Sequence, residues 1–305
     1  MSSPQWTRRL FIAAGATLSV APGIAIGDES MSMRHGIIPA TGERLPVVGL
    51  GTYIAFDVDS TPSAIRQRKS IVDLLIAHGG SVIDTSPMYN RSEKLIGDVI
   101  AAGTARRKLF LATKVWTEGQ AAGAAQMQRS ADLMNSGTID LMQVHNLRDT
   151  ATHMASIRQL QDEDKVRYSG LTHYTAGALR TLETEMLQHK PEFIQINYSL
   201  GEREAAERIL PLARNMGIAV LINRPFQSGA LFRAVANRKL PDWARDFASS
   251  WGQFFLKFIL SHPAVTCAIP ATAKPHHMID NLGAGHGHLP DTAMRKRMTD
   301  YFTSF

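Results

Sequence analysis

The sequence predicts an α/β fold, specifically a (β/α)8 TIM barrel in which eight parallel strands alternate with helices. Three observations support this prediction: eight short apolar runs, amphipathic stretches between them, and polar residues at the carboxyl ends of successive runs. Continuous apolar runs are typical of strands in a buried parallel sheet. Repeated strand–helix alternation alone is compatible with a closed barrel or with a doubly wound sheet.

Two features favour the barrel. The segment Gly49-Leu50-Gly51-Thr52 lacks the third glycine of a dinucleotide-binding fingerprint and leads into a loop rather than a helix. In a barrel, the carboxyl ends of the strands carry the chemistry, and that is where the polar residues collect. The eight predicted strands occupy residues 47–52, 81–85, 109–114, 140–145, 168–172, 193–198, 219–223 and 266–270.

The segments around these strands complete the predicted barrel. Residues 34–45 hold Thr41-Gly42 between short extended runs, which predicts an N-terminal β-hairpin that closes the bottom of the barrel. Residues 84–97 and 223–242 are expected to form long loops at the opposite, top face. Helical periodicity is found in residues 63–78, 120–134, 152–164, 203–215 and 245–260.

Size and composition fit a single large domain over residues 31–305. The only cysteine is Cys267, so no internal disulfide is possible, and no Cys/His spacing typical of a zinc site is present. The net charge of +6 comes without a basic and aromatic cluster of the kind that binds nucleic acid. A mild positive excess is compatible with an anionic cofactor, and we expect neither a metal nor a nucleic-acid partner.

Residues 1–30 are predicted to be an export signal. A polar head ends in Arg8-Arg9, an apolar run follows, and small residues then precede an acidic stretch. The segment Thr7-Arg8-Arg9-Leu10-Phe11-Ile12 resembles the twin-arginine signal. We therefore expect the twin-arginine export machinery as a partner, a periplasmic or exported protein, and no stable membrane anchor after processing. The alternative is a chance arginine pair before an uncleaved anchor, and a cytoplasmic protein if the signal does not function.

Four polar residues lie at or just beyond the ends of three successive strands. Asp84 ends the second strand, and Tyr89 follows it in the loop. Lys114 and His145 end the third and fourth strands. Each has a structural explanation when taken alone, such as a helix cap for the aspartate. Neighbouring parallel strands lie about 5 Å apart, so we expect the four side chains to meet in one pocket.

These residues carry a resemblance to a known family. The segment Asp84-Thr85-Ser86-Pro87-Met88-Tyr89-Asn90-Arg91-Ser92-Glu93-Lys94-Leu95-Ile96-Gly97 resembles the aspartate–tyrosine motif of the aldo/keto reductase family. Thr113-Lys114-Val115 is similar to its lysine strand, and residues 139–145 to its histidine strand. The likeness covers nearly everything after residue 40. The resemblance implies a (β/α)8 barrel that reduces a carbonyl group with a nicotinamide cofactor.

The resemblance implies a role for each of the four residues. Tyr89 is expected to be the general acid, although an ordinary tyrosine has a pKa of about 10. Lys114 is expected to lower that pKa, and Asp84 to hold Lys114 charged and oriented. His145 is expected to donate a hydrogen bond to the carbonyl oxygen of the substrate.

The same resemblance implies a cofactor site across the top of the barrel. It places the nicotinamide amide against Thr172, His173 and Gln195, with a buried structural amide as the alternative for Gln195. Where many family members have a tyrosine that stacks on the nicotinamide, this chain has Asn223-Arg224. The remaining cofactor residues implied by the resemblance are Arg224, Gln227, Ser228, Gly229, Leu231, Thr272, Lys274, His277 and Asn281.

The cofactor is expected to be NADPH. NADH is possible too, because Ala271 and His277 stand where family members that bind the 2′-phosphate strongly have Lys and Arg. The implied activity is NADPH-dependent reduction of an aldehyde or ketone. Two alternatives remain open: an NADP(H)-binding regulatory or redox-sensing subunit without significant turnover, and a cofactor-free isomerase or lyase. Substrate choice is expected to depend on residues 53–60, residues 116–119 and the C-terminal tail, with Phe56 and Trp116 as possible walls of an apolar pocket.

Overall fold

The computed structural model describes residues 32–304, and eight parallel strands form its central sheet. The eight strands pair in the order in which they occur along the chain, and each overlaps one of the eight predicted strands. The predicted export signal in residues 1–30 lies outside the described residues. The strands are β3 (Leu50–Gly51), β4 (Val82–Asp84), β5 (Phe110–Val115), β6 (Ile139–His145), β7 (Val166–Thr172), β8 (Phe193–Asn197), β9 (Ala219–Asn223) and β10 (Cys267–Ala268).

The first and last strands of the sheet meet and close the barrel. Parallel bridges join Val48 to Ala268 and Gly51 to Ala271. The backbone N–H of Gly49 donates to the carbonyl oxygen of Ala268 at 2.9 Å. A Cβ atom added to Gly49 would lie 2.8 Å from Cβ of Val82, so glycine is required for this close packing. The predicted (β/α)8 barrel is confirmed.

A hairpin of β1 (His35–Ile37) and β2 (Arg44–Pro46) precedes the barrel, as predicted. Ile38 and Leu45 are fully buried in a cluster at the amino ends of the strands. There they pack with inward-facing strand residues that include Val82, Phe110, Leu141, Phe193 and Leu221. The phenol of Tyr168 donates to Glu43 at 2.6 Å and ties the hairpin to β7. The bottom of the barrel is therefore filled, and its polar chemistry is confined to the top.

Ten helices surround the barrel in the described part of the chain. None of these helices between residues 32 and 304 is both long and apolar enough to cross a membrane. They are α1 (Pro62–Ala77), α2 (Ser92–Ala101), α3 (Gln120–Met134), α4 (Thr150–Asp162), α5 (Leu179–His189), α6 (Ile209–Met216), α7 (Ala230–Ala234), α8 (Trp251–Leu260), α9 (Pro275–Gly283) and α10 (Thr292–Thr303).

Several boundaries differ from the sequence prediction. The helix predicted over residues 245–260 begins at Trp251, because Ser250 is extended and its hydroxyl accepts a hydrogen bond from the Gln253 N–H. The helix predicted over residues 203–215 begins at Ile209, so that Pro211 falls in the first turn, where no N–H is needed. The predicted loops 84–97 and 223–242 contain the start of α2 and the whole of α7, respectively.

Candidate active site

The four residues predicted from strand ends meet at the top of the barrel. Asp84, Lys114 and His145 are the polar residues at the carboxyl ends of β4, β5 and β6. Tyr89 ends a 3-10 turn that begins at Pro87, and Ser86 caps this turn by accepting from the Met88 N–H. A short turn with a fixed proline thus places the Tyr89 phenol beside the strand ends.

A buried ion pair forms the base of the site. Nζ of Lys114 lies 2.7 Å from Oδ2 of Asp84 and donates to the Thr85 carbonyl at 2.6 Å. The side chains of Lys114 and Asp84 are no more than 3% exposed. Burial lowers the pKa of Lys114, but attraction to Asp84 and Tyr89 outweighs burial and holds that pKa above its ordinary value. The Lys114 ammonium is therefore charged at neutral pH.

Two buried amides complete the surroundings of the Asp84 carboxylate. Oδ1 of Asp84 accepts from Nε2 of Gln195 at 2.7 Å and from Nε2 of Gln143 at 3.1 Å. Gln195 therefore points towards Asp84, and its Oε1 accepts from the hydroxyl of Thr172 at 3.3 Å. Gln143 is not among the residues predicted from the sequence, although it precedes His145 by two residues and so shares the inward face of β6.

Tyr89 borders the cavity and lies directly above Lys114. Nζ of Lys114 lies 5.0 Å from the centroid of the Tyr89 ring. Burial raises the pKa of Tyr89, and the opposing attraction of Lys114 for the phenolate is smaller. Lys114 therefore lowers this pKa as expected, but burial outweighs its effect, and Tyr89 remains a protonated phenol at neutral pH. Lys114 still stabilises the phenolate that proton donation leaves behind.

His145 is held as a neutral imidazole. Burial, and to a smaller extent the nearby charge of Lys114, lower its pKa to about 2. Its Nδ1 shares a 2.9 Å hydrogen bond with the hydroxyl of Ser86. When Ser86 donates this bond, the ring proton resides on Nε2, which is then a donor. The ring of His145 stands edge-on to that of Tyr89, with centroids 6.0 Å apart.

A cavity of about 960 Å³ opens above these residues. Asp84, Tyr89 and His145 line its wall, whereas Lys114 is completely buried beneath it. The wall also includes most of the residues expected to hold a cofactor. These are Thr172, Gln195, Arg224, Ser228, Gly229, Thr272, His277 and Asn281.

Four residues expected to hold the cofactor do not line this cavity. Nδ1 of His173 accepts hydrogen bonds from the backbone N–H groups of Tyr174 and Thr175, so its ring is engaged locally. The Gln227 amide packs against Gly201. Leu231 is buried in the core at 1% exposure. Lys274 precedes α9, and its backbone N–H donates to the hydroxyl of Thr272.

The cavity wall contains aromatic residues that sequence reasoning missed. Tyr174 directly follows the predicted His173, and Phe226 immediately precedes the predicted Gln227, so proximity in sequence was the available signal. The helix predicted across residues 245–260 concealed Trp251, which instead begins α8 at the wall. Phe56 and Trp116, proposed as pocket walls, do not line the cavity; Phe56 is completely buried in the core.

Three polar atoms at the cavity wall are buried and lack hydrogen-bond partners among residues 32–304. They are Oδ1 of Asn146, Oδ1 of Asn223 and Nε of Arg224. The guanidinium of Arg224 lies 5.8 Å from the centroid of the Tyr174 ring. The backbone of Arg224 has a positive φ of 48°, which is uncommon outside glycine. Unpaired buried polar atoms are costly, and a polar ligand would pair them. Within the same residues, no cluster of His, Cys, Asp and Glu forms a metal site.

Comparison with known proteins identifies the family. Residues 47–296 match the sequence profile of the aldo/keto reductase family. The match covers the whole barrel, including all four residues at the site. The chain belongs to the aldo/keto reductase family of NAD(P)H-dependent oxidoreductases.

Relatives and solved structures agree with this assignment. Glyoxal reductase of Bacillus subtilis (strain 168) is 26% identical over 257 residues, which cover 82% of this chain and 87% of that protein. Aldo-keto reductase YhdN of the same organism is 27% identical over 231 residues, 69% of this chain and 66% of that protein. A Klebsiella pneumoniae aldo/keto reductase solved with NADP and acetate has the same fold. Its TM-score is 0.74 at 22% identity, over 88% of this chain and 95% of that one.

Proposed function

We propose that this protein reduces the carbonyl group of an aldehyde or ketone with NADPH, and that Tyr89 is the general acid. One observation carries the proposal: the Tyr89 phenol borders a deep cavity and rests on the buried Lys114–Asp84 pair. Two Klebsiella pneumoniae structures of similar fold, described as complexes with NADP and with NADPH, support the choice of cofactor.

The cavity has the size and the polar groups that a dinucleotide needs. Its volume of about 960 Å³ is at the upper end of ordinary ligand pockets, which leaves room for a second small molecule. The unpaired carbonyl oxygens of Asn146 and Asn223 are acceptors for the N–H groups of an amide. Arg224 offers an unpaired donor and a positive charge for an anionic ligand.

When bound, the nicotinamide supplies a hydride for the carbonyl carbon. The residues of this chain then manage the charge that develops on the oxygen. Tyr89 donates its proton to that oxygen, and its raised pKa keeps the proton available at neutral pH. Lys114, held by Asp84, stabilises the phenolate. Neutral His145, with Ser86 on Nδ1, orients the carbonyl oxygen through Nε2.

The residues that line the cavity favour NADPH over NADH only moderately. Arg224 is the one arginine or lysine among the residues that line the cavity. Burial lowers the pKa of His277, and the charges of His276 and Lys274 lower it further, so His277 is largely neutral at neutral pH. Thr272 is a neutral hydrogen-bonding residue at the same wall. We therefore propose that NADH is accepted as well as NADPH.

The function is tested by following NADPH oxidation with purified residues 31–305 and a panel of carbonyl compounds. Glyoxal belongs in the panel because one relative is named glyoxal reductase. NADPH-dependent reduction of at least one aldehyde supports the proposal. Tight NADPH binding without any turnover would favour a regulatory subunit instead, and a failure to bind NADPH would refute the cofactor assignment.

We also propose that residues 1–30 direct export by the twin-arginine machinery. The support is the arrangement of Arg8-Arg9 before an apolar run. Replacing both arginines with lysine should retain the precursor in the cytoplasm, as judged by cell fractionation. Export of the double-lysine variant at the normal rate would refute this proposal.

A further inference from the structure

A second carboxyl group lies behind the Lys114–Asp84 pair, outside the cavity. Glu93 belongs to the same sequence motif as Asp84 and Tyr89, but it does not line the cavity and is 2% exposed. Its Oε1 accepts a hydrogen bond of 2.5 Å from the hydroxyl of Thr113. Burying a carboxyl group is unfavourable unless it is hydrogen-bonded, and an apolar side chain would fill the same space more readily. Packing alone therefore does not explain this bond.

The bond joins the two segments that carry Tyr89 and Lys114. The turn of Tyr89 ends three residues before α2 begins, and Glu93 is the second residue of that helix. Thr113 immediately precedes Lys114 on β5. Neighbouring residues of a strand face opposite sides, so Lys114 points into the barrel while Thr113 points outwards to α2. The hydrogen bond on the outer side of β5 therefore sets where the turn of Tyr89 lies relative to the ammonium on the inner side.

Helix α2 is also held by α3, one turn beyond Glu93. A Cβ atom added to Gly97 would collide with the Leu133 carbonyl oxygen, so the two helices are in close backbone contact there. Apolar contacts have no preferred direction, whereas a hydrogen bond has a preferred distance and angle. The contact with α3 therefore sets how closely the helices approach, and the bond from Thr113 sets the position of α2 along β5.

The bond uses Glu93 as an acceptor and does not require its negative charge. Burial raises the pKa of Glu93, and hydrogen bonds from Thr113 and Ser130 offset only part of this rise. Lys114 already has Asp84 as its ion-pair partner at 2.7 Å. Glu93→Gln keeps the shape of the side chain and an acceptor oxygen, so this substitution should preserve the bond.

Resting on the proposed reductase function, we propose that Glu93 is a positioning residue whose bond to Thr113 holds Tyr89 in place over Lys114. Glu93 lies outside the cavity, so it acts through the residues that it fixes. Proton donation by Tyr89 depends steeply on the placement of its phenol, since a displacement of about 1 Å can slow a reaction by about a hundredfold. Loss of the bond should therefore slow the reaction without weakening the binding of NADPH.

The first test is single-turnover reduction of an aldehyde that wild type reduces, at saturating NADPH. Glu93→Leu and Thr113→Val each remove the bond, and Thr113→Val decides the test if Glu93→Leu does not fold. We expect both rates to fall between about tenfold and a hundredfold, with an unchanged dissociation constant for NADPH, and Glu93→Gln to keep a rate near that of wild type. Ser169→Ala is the matched control, because it removes a buried hydroxyl that donates to Glu192 at 3.1 Å, and its rate should be that of wild type.

A spectroscopic measurement separates this inference from the proposed function, because it needs no turnover. In protein labelled with carbon-13 at Cζ of tyrosine, the Tyr89 resonance is the one that disappears in Tyr89→Phe. At neutral pH its chemical shift reports the position of the phenol relative to the Lys114 charge. The resonance should move in Thr113→Val and in Glu93→Leu, and it should stay in place in Glu93→Gln and in Ser169→Ala.

The two measurements together distinguish the possible failures. If wild type reduces no carbonyl compound but the Tyr89 resonance moves as expected, the reductase function fails and the placement of Tyr89 by Glu93 stands. If wild type reduces an aldehyde but neither the rate nor the resonance changes in Thr113→Val, the positioning role fails and the reductase stands. Equal losses of rate in Glu93→Leu and Glu93→Gln would also overturn the positioning role, because Glu93→Gln keeps the acceptor.

Discussion

Lys114 and Asp84 form an ion pair of 2.7 Å in which the lysine side chain is completely buried. Replacing Asp84 with asparagine leaves the Lys114 ammonium with amide and carbonyl partners only. We expect the free energy of unfolding to fall by about 3–5 kcal/mol, the typical cost of a buried charge that has lost its partner. Carbonyl reduction should fall as well, because Asp84 no longer holds the Lys114 ammonium in place beneath Tyr89.

The control for this prediction is an exposed ion pair. Lys69 and Asp73 lie 2.8 Å apart on α1, with the Asp73 side chain 50% exposed. Solvent-exposed pairs contribute less than about 1 kcal/mol, so Asp73→Asn should be nearly silent in urea unfolding and in turnover. Equal losses in the two variants would show that the burial of the Asp84 pair has no special effect.

Ser86 is predicted to set the proton position on His145. In Ser86→Ala, Nδ1 of His145 loses its 2.9 Å partner, and the tautomer with a donor at Nε2 is no longer favoured. We expect kcat to fall between about tenfold and a hundredfold while the dissociation constant for NADPH stays constant. Ser70→Ala, which removes an exposed hydroxyl on α1, serves as the control. Full kcat in Ser86→Ala would show that Ser86 does not set the proton position on His145.

The neutral state of His145 predicts how stability depends on pH. The pKa of His145 is about 2 in the folded protein and 6.5 for an unperturbed histidine, the value expected in the unfolded chain. Acid therefore protonates His145 in the unfolded chain first. Stability is therefore present above about pH 6.5 and is lost as the pH falls below it. By about pH 5, protonation of His145 in the unfolded state should lower the free energy of unfolding by about 2 kcal/mol. In His145→Asn, the loss of unfolding free energy between about pH 7.5 and about pH 5 should be smaller by that amount, and an unchanged slope would contradict a neutral His145.

Arg224 is predicted to bind the anionic cofactor. Its Nε is buried without a hydrogen-bond partner among residues 32–304, so an acceptor on the cofactor would pair it. Arg224→Met should raise the dissociation constant for NADPH about tenfold, in line with one charge-assisted hydrogen bond. The difference should shrink in high salt. Fluorescence titration measures it, with Arg245→Met, on an exposed pair with Asp242, as the control.

Much of the fold was predictable because buried parallel strands have a simple apolar pattern. All eight predicted strands are present, and helix α3 has the predicted bounds Gln120–Met134. Helix starts were less predictable where a local cap competes with periodicity, as at Ser250 before α8. The helical spacing of apolar residues predicts that this helix includes residues 245–250. Instead, the Ser250 hydroxyl caps the Gln253 N–H, and α8 begins at Trp251.

The site was predictable only where chemistry and strand position coincide. Asp84, Lys114 and His145 end successive strands, and Tyr89 lies in a recognisable motif, so topology alone brings them together. The pKa of Tyr89 was not predictable, because it depends on how deeply the ring is buried against the charge of Lys114.

Tyr89→Phe tests whether Tyr89 is the general acid of carbonyl reduction. The substitution removes the phenolic oxygen and keeps the ring that contacts Tyr53 and His145. Tyr168→Phe is the matched control, because it removes a phenol hydrogen-bonded to Glu43 at the opposite end of the barrel. The measurement is single-turnover reduction of an aldehyde that wild type reduces, at saturating NADPH. We predict a rate lower by about a hundredfold or more in Tyr89→Phe, with unchanged NADPH affinity, and a wild-type rate in Tyr168→Phe. A wild-type rate in Tyr89→Phe would contradict its role as the general acid.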